Sequence, residues 1–449
     1  MHYEKFQDGT VKCIEDEIPF EVPEGWCWAR FLAITINRDS ERKPISASQR
    51  TDVEKIYDYY GASGKIDKID KYIFDEKLLL IGEDGANLVT RSKPIAFFAE
   101  GKYWVNNHAH CIDSPDKSIL QFICFFINAI NLEKYVTGSA QPKMTQDNMN
   151  SILVALPPYK EQQLISQQLD IIWASIDKIE FEKENVLKLV DNAKSKILDL
   201  AIRGKLVSQD SNDEPASVLL ERIRAEKEEL IKQGKIKCDK KESVIFKGDD
   251  NSYYEKVGAE IRCIDSEIPF EIPDGWMYER LGNICSIARG GSPRPIENYL
   301  TDDENGLNWI KIGDTEQGGK YIYSTKEKIR PEGLSKTRYV CSGDFLLTNS
   351  MSFGRPYILR TNGCIHDGWL VIGGIEIAFH QDYLYYMLSS SIMYNALSSL
   401  AVGSTVKNLK SDSVKSLLVP IPPLAEQACI SRQIENYFAT MLPIERSLS

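Results

Sequence analysis

The chain is 449 residues long, room for about three domains. Its 43% hydrophobic, 10% aromatic and 27% charged composition is that of a folded globular protein, not a disordered or fibrous one. A net charge of −11 argues against a generic nucleic-acid binder, and ten cysteines without a Cys-x-x-Cys pair argue against a disulfide framework or zinc ribbon. Two inner blocks are nearly neutral, −1 over residues 35–147 and 0 over 284–412, so the acidic excess lies in the connecting material.

In chain order, Met1-His2-Tyr3-Glu4-Lys5 shows no basic region followed by an apolar one, so no secretory signal and a cytoplasmic protein are expected. Leu78-Leu79-Leu80-Ile81-Gly82 reads as a short buried strand ending in a polar turn. Residues 119–130 read as a helix, interrupted by Gln121 and Asn128 and far short of the ~20 residues a membrane span needs. A loop, Val136-Thr137-Gly138-Ser139, follows. After Pro157-Pro158 the pattern changes: Ile165, Leu169, Ile172, Ile176, Ile179, Val186, Val190, Ala193, Ile197 and Leu200 recur in steps of four and three, with Lys183 the one polar entrant. That narrow stripe predicts a coiled-coil seam on a helix over 161–203, about 65 Å long and ended by Gly204. A polar turn over 208–215 leads to a second charged helix over 216–233. Further on, Phe345-Leu346-Leu347-Thr348 reads as a strand, 383–400 as a helix, and Val402-Gly403-Ser404-Thr405 as a loop.

The chain is written twice. The run Cys13-Ile14-Glu15-Asp16-Glu17-Ile18-Pro19-Phe20-Glu21-Val22-Pro23-Glu24-Gly25-Trp26 returns as Cys263-Ile264-Asp265-Ser266-Glu267-Ile268-Pro269-Phe270-Glu271-Ile272-Pro273-Asp274-Gly275-Trp276. Pro157-Pro158-Tyr159-Lys160-Glu161-Gln162 returns as Pro422-Pro423-Leu424-Ala425-Glu426-Gln427. Between these echoes, 35–135 and 285–400 show no obvious likeness: a common frame with different inserts. The second copy starts the same helix, with Ile430, Ile434, Tyr437 and Met441 in register, and stops just past Pro443, so a shortened helix is expected.

Chemistry of its own is not expected. Leu156-Pro157-Pro158-Tyr159 resembles an adenine methyltransferase tetrapeptide, but that reaction needs Asn or Asp before Pro-Pro to accept a bond from the target amine. Leu156 and Ile421 cannot do this. The run Gly313-Asp314-Thr315-Glu316-Gln317-Gly318-Gly319-Lys320 misses the phosphate-loop spacing by one residue and lacks Ser or Thr after the lysine. Glu83 and Asp84 read better as a solvated turn than as acid–base or metal groups. His108 and His110 would share a strand face, but further zinc ligands are not evident, so no metal is expected.

With the frame in view, the chain resembles the specificity subunit of type I restriction–modification systems over nearly its whole length. The most specific segments are Leu200-Ala201-Ile202-Arg203-Gly204-Lys205-Leu206-Val207 and the stretch from Asp213-Glu214-Pro215-Ala216 to Arg224-Ala225-Glu226-Lys227, with the duplicated Pro-Pro and Glu-Gln pairs. The resemblance implies an α+β chain: two mixed α/β target-recognition domains, 1–156 and 248–420, joined by a conserved coiled-coil helical region, 157–247, and closed by a shortened helix, 421–449. It implies a non-catalytic subunit in which each recognition domain reads one half of a split, asymmetric site on double-stranded DNA. Two methyltransferase subunits would modify adenine and motor-endonuclease subunits would join them. S-adenosylmethionine, ATP and magnesium would then belong to those partners, with no cofactor on this chain and no membrane. A coiled-coil assembly scaffold without DNA specificity, or a truncated non-functional subunit, are the alternatives.

Recognition needs cations for phosphates and polar side chains for base edges. In the first domain the candidates are Glu83, Asp84 and Asn87 around Gly85, Asn106, Asn107 and His108, and Ser139, Gln141 and Lys143. In the second they are Arg289, Ser292 and Arg294 around Gly290-Gly291, then Lys311, Asn349, Ser350, Ser352 and Arg355, and Ser404, Thr405, Lys407 and Asn408. Asp314, His366 and Asp367 join this set. Tyr103, Trp104 and Trp309 are expected in cores rather than stacked on bases.

Overall fold

The computed structural model describes residues 1–448 except 52–53, 139, 236–241, 317, 351–352 and 402–407. They form two compact units, Met1–Phe181 and Glu182–Ser449.

In the first unit the strands that border the two echoes pair with each other. Strand Cys27–Arg30 runs antiparallel to Leu153–Leu156, with Ala29 opposite Val154. Between them lie two four-stranded sheets. One is ordered Gly64–Ile69, Tyr57–Gly61, Lys102–Val105, Phe74–Asp75; the other Ile36–Asn37, Ala109–Asp113, Leu78–Gly82, Ala96–Ala99. Among the described residues of this unit, only Tyr57–Gly61 and Lys102–Val105 pair in parallel. The unbroken apolar run of Leu78–Gly82 reflects burial on both faces. Leu79 and Ile81 join Phe31, Ile123, Ile127 and Met149 in one core, while Leu78 and Leu80 join Phe74, Tyr103 and Val105 in another. Each such side chain contributes about 1.5–3 kcal/mol by leaving water.

The second unit repeats this plan. Met277–Arg280 pairs antiparallel with Leu418–Ile421. Its sheets run Leu300–Thr301, Glu327–Ile329, Leu307–Ile310, Gly363–Ile365, Arg338–Val340, and Ser286–Arg289, Trp369–Gly373, Phe345–Thr348, Pro356–Leu359, Tyr321–Ile322. Without the outermost strands Leu300–Thr301 and Tyr321–Ile322, order and directions match the first unit, including the single parallel pair, Leu307–Ile310 with Gly363–Ile365. The inserts that share no obvious sequence therefore share a topology. Phe345 and Leu347 face one core and Leu346 another, the same alternation as in Leu78–Gly82. Tyr103, Trp104 and Trp309 are core residues, as expected.

Two expectations are corrected. The helix expected over 383–400 is two helices, Gln381–Ser389 and Ser391–Leu400: Ser390 is extended and its hydroxyl accepts the Met393 N–H at 3.3 Å, a cap that starts a new helix. The last helix, Leu424–Leu448, is shorter than the long helix, as expected, and continues through Pro443, which forfeits one backbone bond without ending it. The long helix, Tyr159–Ile202, is present, but its seam is not buried throughout. Ile165 and Leu169 are half-buried, Ile172, Ile176, Ile179 and Val186 are exposed, Val190 is buried, and Ala193, Ile197 and Leu200 are half-buried. At its end the covered residues are Leu198, Ala201 and Ile202, one step off the expected stripe, because there the helix packs on the second unit's core rather than along a single partner helix.

That end is a Schellman cap: Lys205 N–H reaches the Leu200 carbonyl at 2.8 Å, Gly204 N–H the Ala201 carbonyl at 3.1 Å, and Gly204 is left-handed at φ 64°. The last helix meets this region through Lys194, whose Nζ bonds Glu445 at 2.6 Å and lies 5.5 Å over the Phe438 ring.

Candidate nucleic-acid interface

The duplicated segments turn out to build the junction of each domain with its helix. Gln162 is buried and donates to the Pro157 carbonyl at 2.7 Å; Gln427 does the same to Pro422 at 3.0 Å. The Trp26 indole donates to Glu161 at 3.2 Å and the Trp276 indole to Glu426 at 2.8 Å. Arg30 bonds Glu4, Glu17 and the Ser151 carbonyl; Arg280 bonds Glu255, Glu267 and the Ser416 carbonyl. Pro157-Pro158 therefore serves a helix start.

In the first unit, three candidate segments converge where the strands end. Glu83 N–H binds the His108 carbonyl at 2.9 Å, Met144 N–H the Glu83 carbonyl at 2.8 Å, and Gly85 N–H the Pro142 carbonyl at 3.0 Å. Gly85 is left-handed, φ 104°, which makes this turn. Asn107, His108, Gln141 and Lys143 face solvent. Asp84, half-buried, bonds the His108 ring at 2.7 Å.

Other candidates hold the loops. Glu83 is not a solvated turn carboxylate: it is 8% exposed and bonds Arg42 at 2.7 Å and Lys143 at 3.0 Å. Burial pushes its carboxyl up, but Arg42, His110 and Lys143 outweigh this and hold it below the usual range. Asn106 is buried and its side chain accepts the His108 N–H at 2.8 Å. Asn87 closes its amide on Lys93, at 2.9 and 3.1 Å. Ser139 lies outside the described residues.

Sequence reasoning did not single out Asp39 and Arg42, which complete this cluster. His110, fully buried, bonds Asp39 at 2.6 Å and the Met144 carbonyl at 2.9 Å. Asp39, Glu83 and His110 bring ligand atoms within 4.8 Å of one another. They do not suit a cation: both histidine nitrogens are engaged, and Arg42 and Lys143 already supply positive charge to the carboxylates. No short-range spacing could have revealed this cluster, which joins residues from 39 to 144.

The second unit gathers its candidates around Asp367. Arg289 Nε donates to the Asp367 carbonyl at 2.9 Å, Ser292 Oγ to its carboxylate at 2.8 Å, and Arg294 reaches the same carboxylate at 3.4 Å while 80% exposed. The His366 ring is 3.0 Å away. Burial pushes the Asp367 carboxyl up, yet Ser292, His366 and the two arginines hold it below its ordinary range. Arg294, Trp309, Lys311 and His366 line a cavity of about 660 Å³, with Lys311 paired to Glu327.

Asn349 is fully buried and donates to the Asp367 carbonyl at 2.8 Å, while its own carbonyl takes the Leu409 N–H, bringing half-buried Asn408 alongside. Ser350, next along, is half-buried. Asp314 accepts the Lys311 and Lys326 N–H groups and so shapes its loop. Arg355 is not brought to this cluster; it lines a separate cavity with Phe353, Tyr385 and Tyr394. Ser352, Ser404, Thr405 and Lys407 lie outside the described residues.

Both clusters occupy the same topological places: the exits of the equivalent strands Leu78–Gly82 and Phe345–Thr348, where Glu83 and Asn349 follow, and the turns holding His108 and His366. They present hydrogen-bond donors and cations suited to phosphates and base edges. Burial pushes the Cys124 and Cys285 thiols up to about 12 and Cys364 to about 11, which makes them unreactive as nucleophiles.

The family model described as type I restriction modification DNA specificity domain matches residues 35–189 and 273–448, taking in both clusters. The chain belongs to this family. Among specificity relatives, the type I restriction enzyme EcoEI specificity subunit of Escherichia coli is 26% identical over 97% of this chain and 81% of its own length. The EcoDI specificity subunit of Escherichia coli is 21% identical over 88% and 78%. A chain from a solved structure described as the basis of complex assembly and conformational transition of the type I R-M system aligns over 96% of this chain and 94% of its own, with TM-score 0.56 and 16% identity, a likeness of fold. No helix among the described residues is long and apolar enough to cross a membrane.

Proposed function

We propose that this specificity-family chain selects DNA sequence for a type I restriction–modification complex, each unit reading one half of a bipartite, asymmetric site. The observation that carries this reading is the twofold use of one strand plan whose loop ends carry different polar chemistry: a buried Glu83 clamped by Arg42 and Lys143 in one unit, and a half-buried Asp367 flanked by exposed arginines in the other. Two such ends suit two different half-sites. The chain acts without catalysis of its own. Two methyltransferase subunits bring S-adenosylmethionine and the base-flipping step, motor-endonuclease subunits bring ATP and magnesium chemistry, and these partners supply positive surface that an acidic chain lacks.

The test is strand-resolved mapping of methylated adenines in cells with and without the protein. A two-part motif that disappears with the protein is the expected result. A complex with methyltransferase subunits that prefers no duplex sequence overturns the reading and leaves an assembly scaffold. Four residues inserted in the long helix add about 6 Å and should lengthen the unread spacer by roughly two base pairs of ~3.4 Å, leaving both half-sites unchanged.

A further inference from the structure

The equivalent turns of the two units each hold a histidine, and the two rings are engaged differently. His108 Nδ1 lies 2.7 and 3.0 Å from the two Asp84 carboxylate oxygens. A carboxylate only accepts, and a neutral imidazole carries its proton on one nitrogen, so Nδ1 donates and Nε2 is left as an acceptor. Among the described residues nothing engages Nε2, and the side chain is 47% exposed. The backbone around the pair is fixed. The Asn106 side chain accepts the His108 N–H at 2.8 Å, the His108 carbonyl takes the Glu83 N–H at 2.9 Å, and Asp84 bridges to Lys143 on the neighbouring loop. An open acceptor is thus held on a rigid frame among exposed Asn107, Gln141 and Lys143.

In the second unit the His366 ring is closed. Its Nδ1 accepts the Gly368 N–H at 2.9 Å, which puts the proton on Nε2, and Nε2 lies 3.0 Å from Asp367. The exposed side chains here are donors: Arg294, and Arg338, whose Nε donates to the Arg289 carbonyl at 3.3 Å. The loops that carry them pack through Gly291, where a Cβ would stand 2.6 Å from the Lys336 carbonyl. One unit therefore offers a bare ring nitrogen where the other offers guanidinium groups.

We propose that His108, oriented by Asp84, reads an exocyclic amino group of adenine or cytosine in the major groove of the first unit's half-site. This rests on the DNA reading proposed above and adds which chemical group one residue recognises there. In the major groove the amino groups on adenine C6 and cytosine C4 are the donors that bases present, while guanine and thymine present acceptors. Asp84 is a positioning residue, acting through the tautomer of His108.

The test uses the full chain in complex with methyltransferase subunits and starts from the motif found by strand-resolved methylation mapping. His108→Ala is expected to relax one base pair of one half-site and leave the other half-site unchanged. At that pair, purine in place of adenine, or pyrimidin-2-one in place of cytosine, removes the amino group. This change should weaken duplex binding by the wild-type complex about five-fold more than binding by the His108→Ala complex. Asp84→Asn, whose amide fits either tautomer, should shrink the same difference, whereas a merely structural Asp84 would lower binding to all duplexes alike. Equal losses in the wild-type and His108→Ala complexes, a motif indifferent to His108→Ala, or relaxation spread over both half-sites overturns the proposal and leaves the DNA reading standing. A wild-type complex without any motif overturns both.

Discussion

The strand ends of the two units carry contrasting electrostatics. In the first, a nearly buried carboxylate, Glu83, is ringed by Arg42, Lys143 and His110, and these charges tie loops together. In the second, Asp367 is half-buried and draws Arg294 and Ser292 from loops that stay open to solvent, with Arg294 80% exposed. Topology thus decides which loops gather at a strand end. Residue type decides whether their charges hold the loops or remain available to a ligand.

The largest expected effect is at the buried cluster. Glu83→Ala removes the carboxylate shared by Arg42 and Lys143, leaves Asp39 alone to balance Arg42 and His110, and should cost about 3–5 kcal/mol in urea unfolding, whereas Asp367→Ala should cost less than ~1 kcal/mol. Equal losses would erase the contrast.

Next comes acid stability at the twin arginine junctions. Burial pushes Glu255 up, but Arg280, Ser243 and Arg262 hold it at about 2 against an ordinary 4.5. A folded value below the unfolded one means its contribution is complete above pH 4.5 and is lost as pH falls toward 2. That is up to about 3 kcal/mol. Glu4 at Arg30 is also held low, by Arg30 itself, but its side chain is 22% exposed against 5% for Glu255, so the effect there is smaller. Urea midpoints from pH 6 to 3 for Glu255→Gln and Glu4→Gln measure the difference.

Smaller still, Arg289→Ala and Arg294→Ala should each weaken duplex binding by the methyltransferase-bound complex by about 1–3 kcal/mol if they read bases, or lower the salt slope by about one if they contact phosphate. Titrations at several salt concentrations separate these. The smallest effect is at the indole bonds. Trp276→Phe should cost about 1 kcal/mol, and Trp26→Phe less, since Glu161 is better solvated than buried Glu426.

The duplicated frame was legible because its residues do specific work: Trp26 with Glu161, Gln162 with the Pro157 carbonyl, and the same again at Trp276 and Gln427. The strands Leu78–Gly82 and Phe345–Thr348 were legible as apolar runs. Their common sheet order was not, because backbone pairing aligns Leu80 with Cys111 and Leu346 with Val371 without requiring any residue to match. The helix break at Ser390 was hidden by apolar periodicity that continues through Met387 and Met393, although the Ser389-Ser390-Ser391 run carried a capping signal. Of the candidate contacts, exposed Asn107, His108, Lys143 and Arg294 lie where loops meet solvent, while Glu83, Asn106 and Asn349 are buried. Partners distant in sequence decide that difference.

The matching junctions have an evolutionary consequence. Where two unlike modules rest on nearly the same foot, with a two-stranded ribbon, an indole latched to a carboxylate and a proline-led helix start, genetic exchange at the foot can trade one module for another without redesigning the shaft. New targets can then arise by recombination in one step, with no need for a slow walk through point mutations that each risk unfolding the protein.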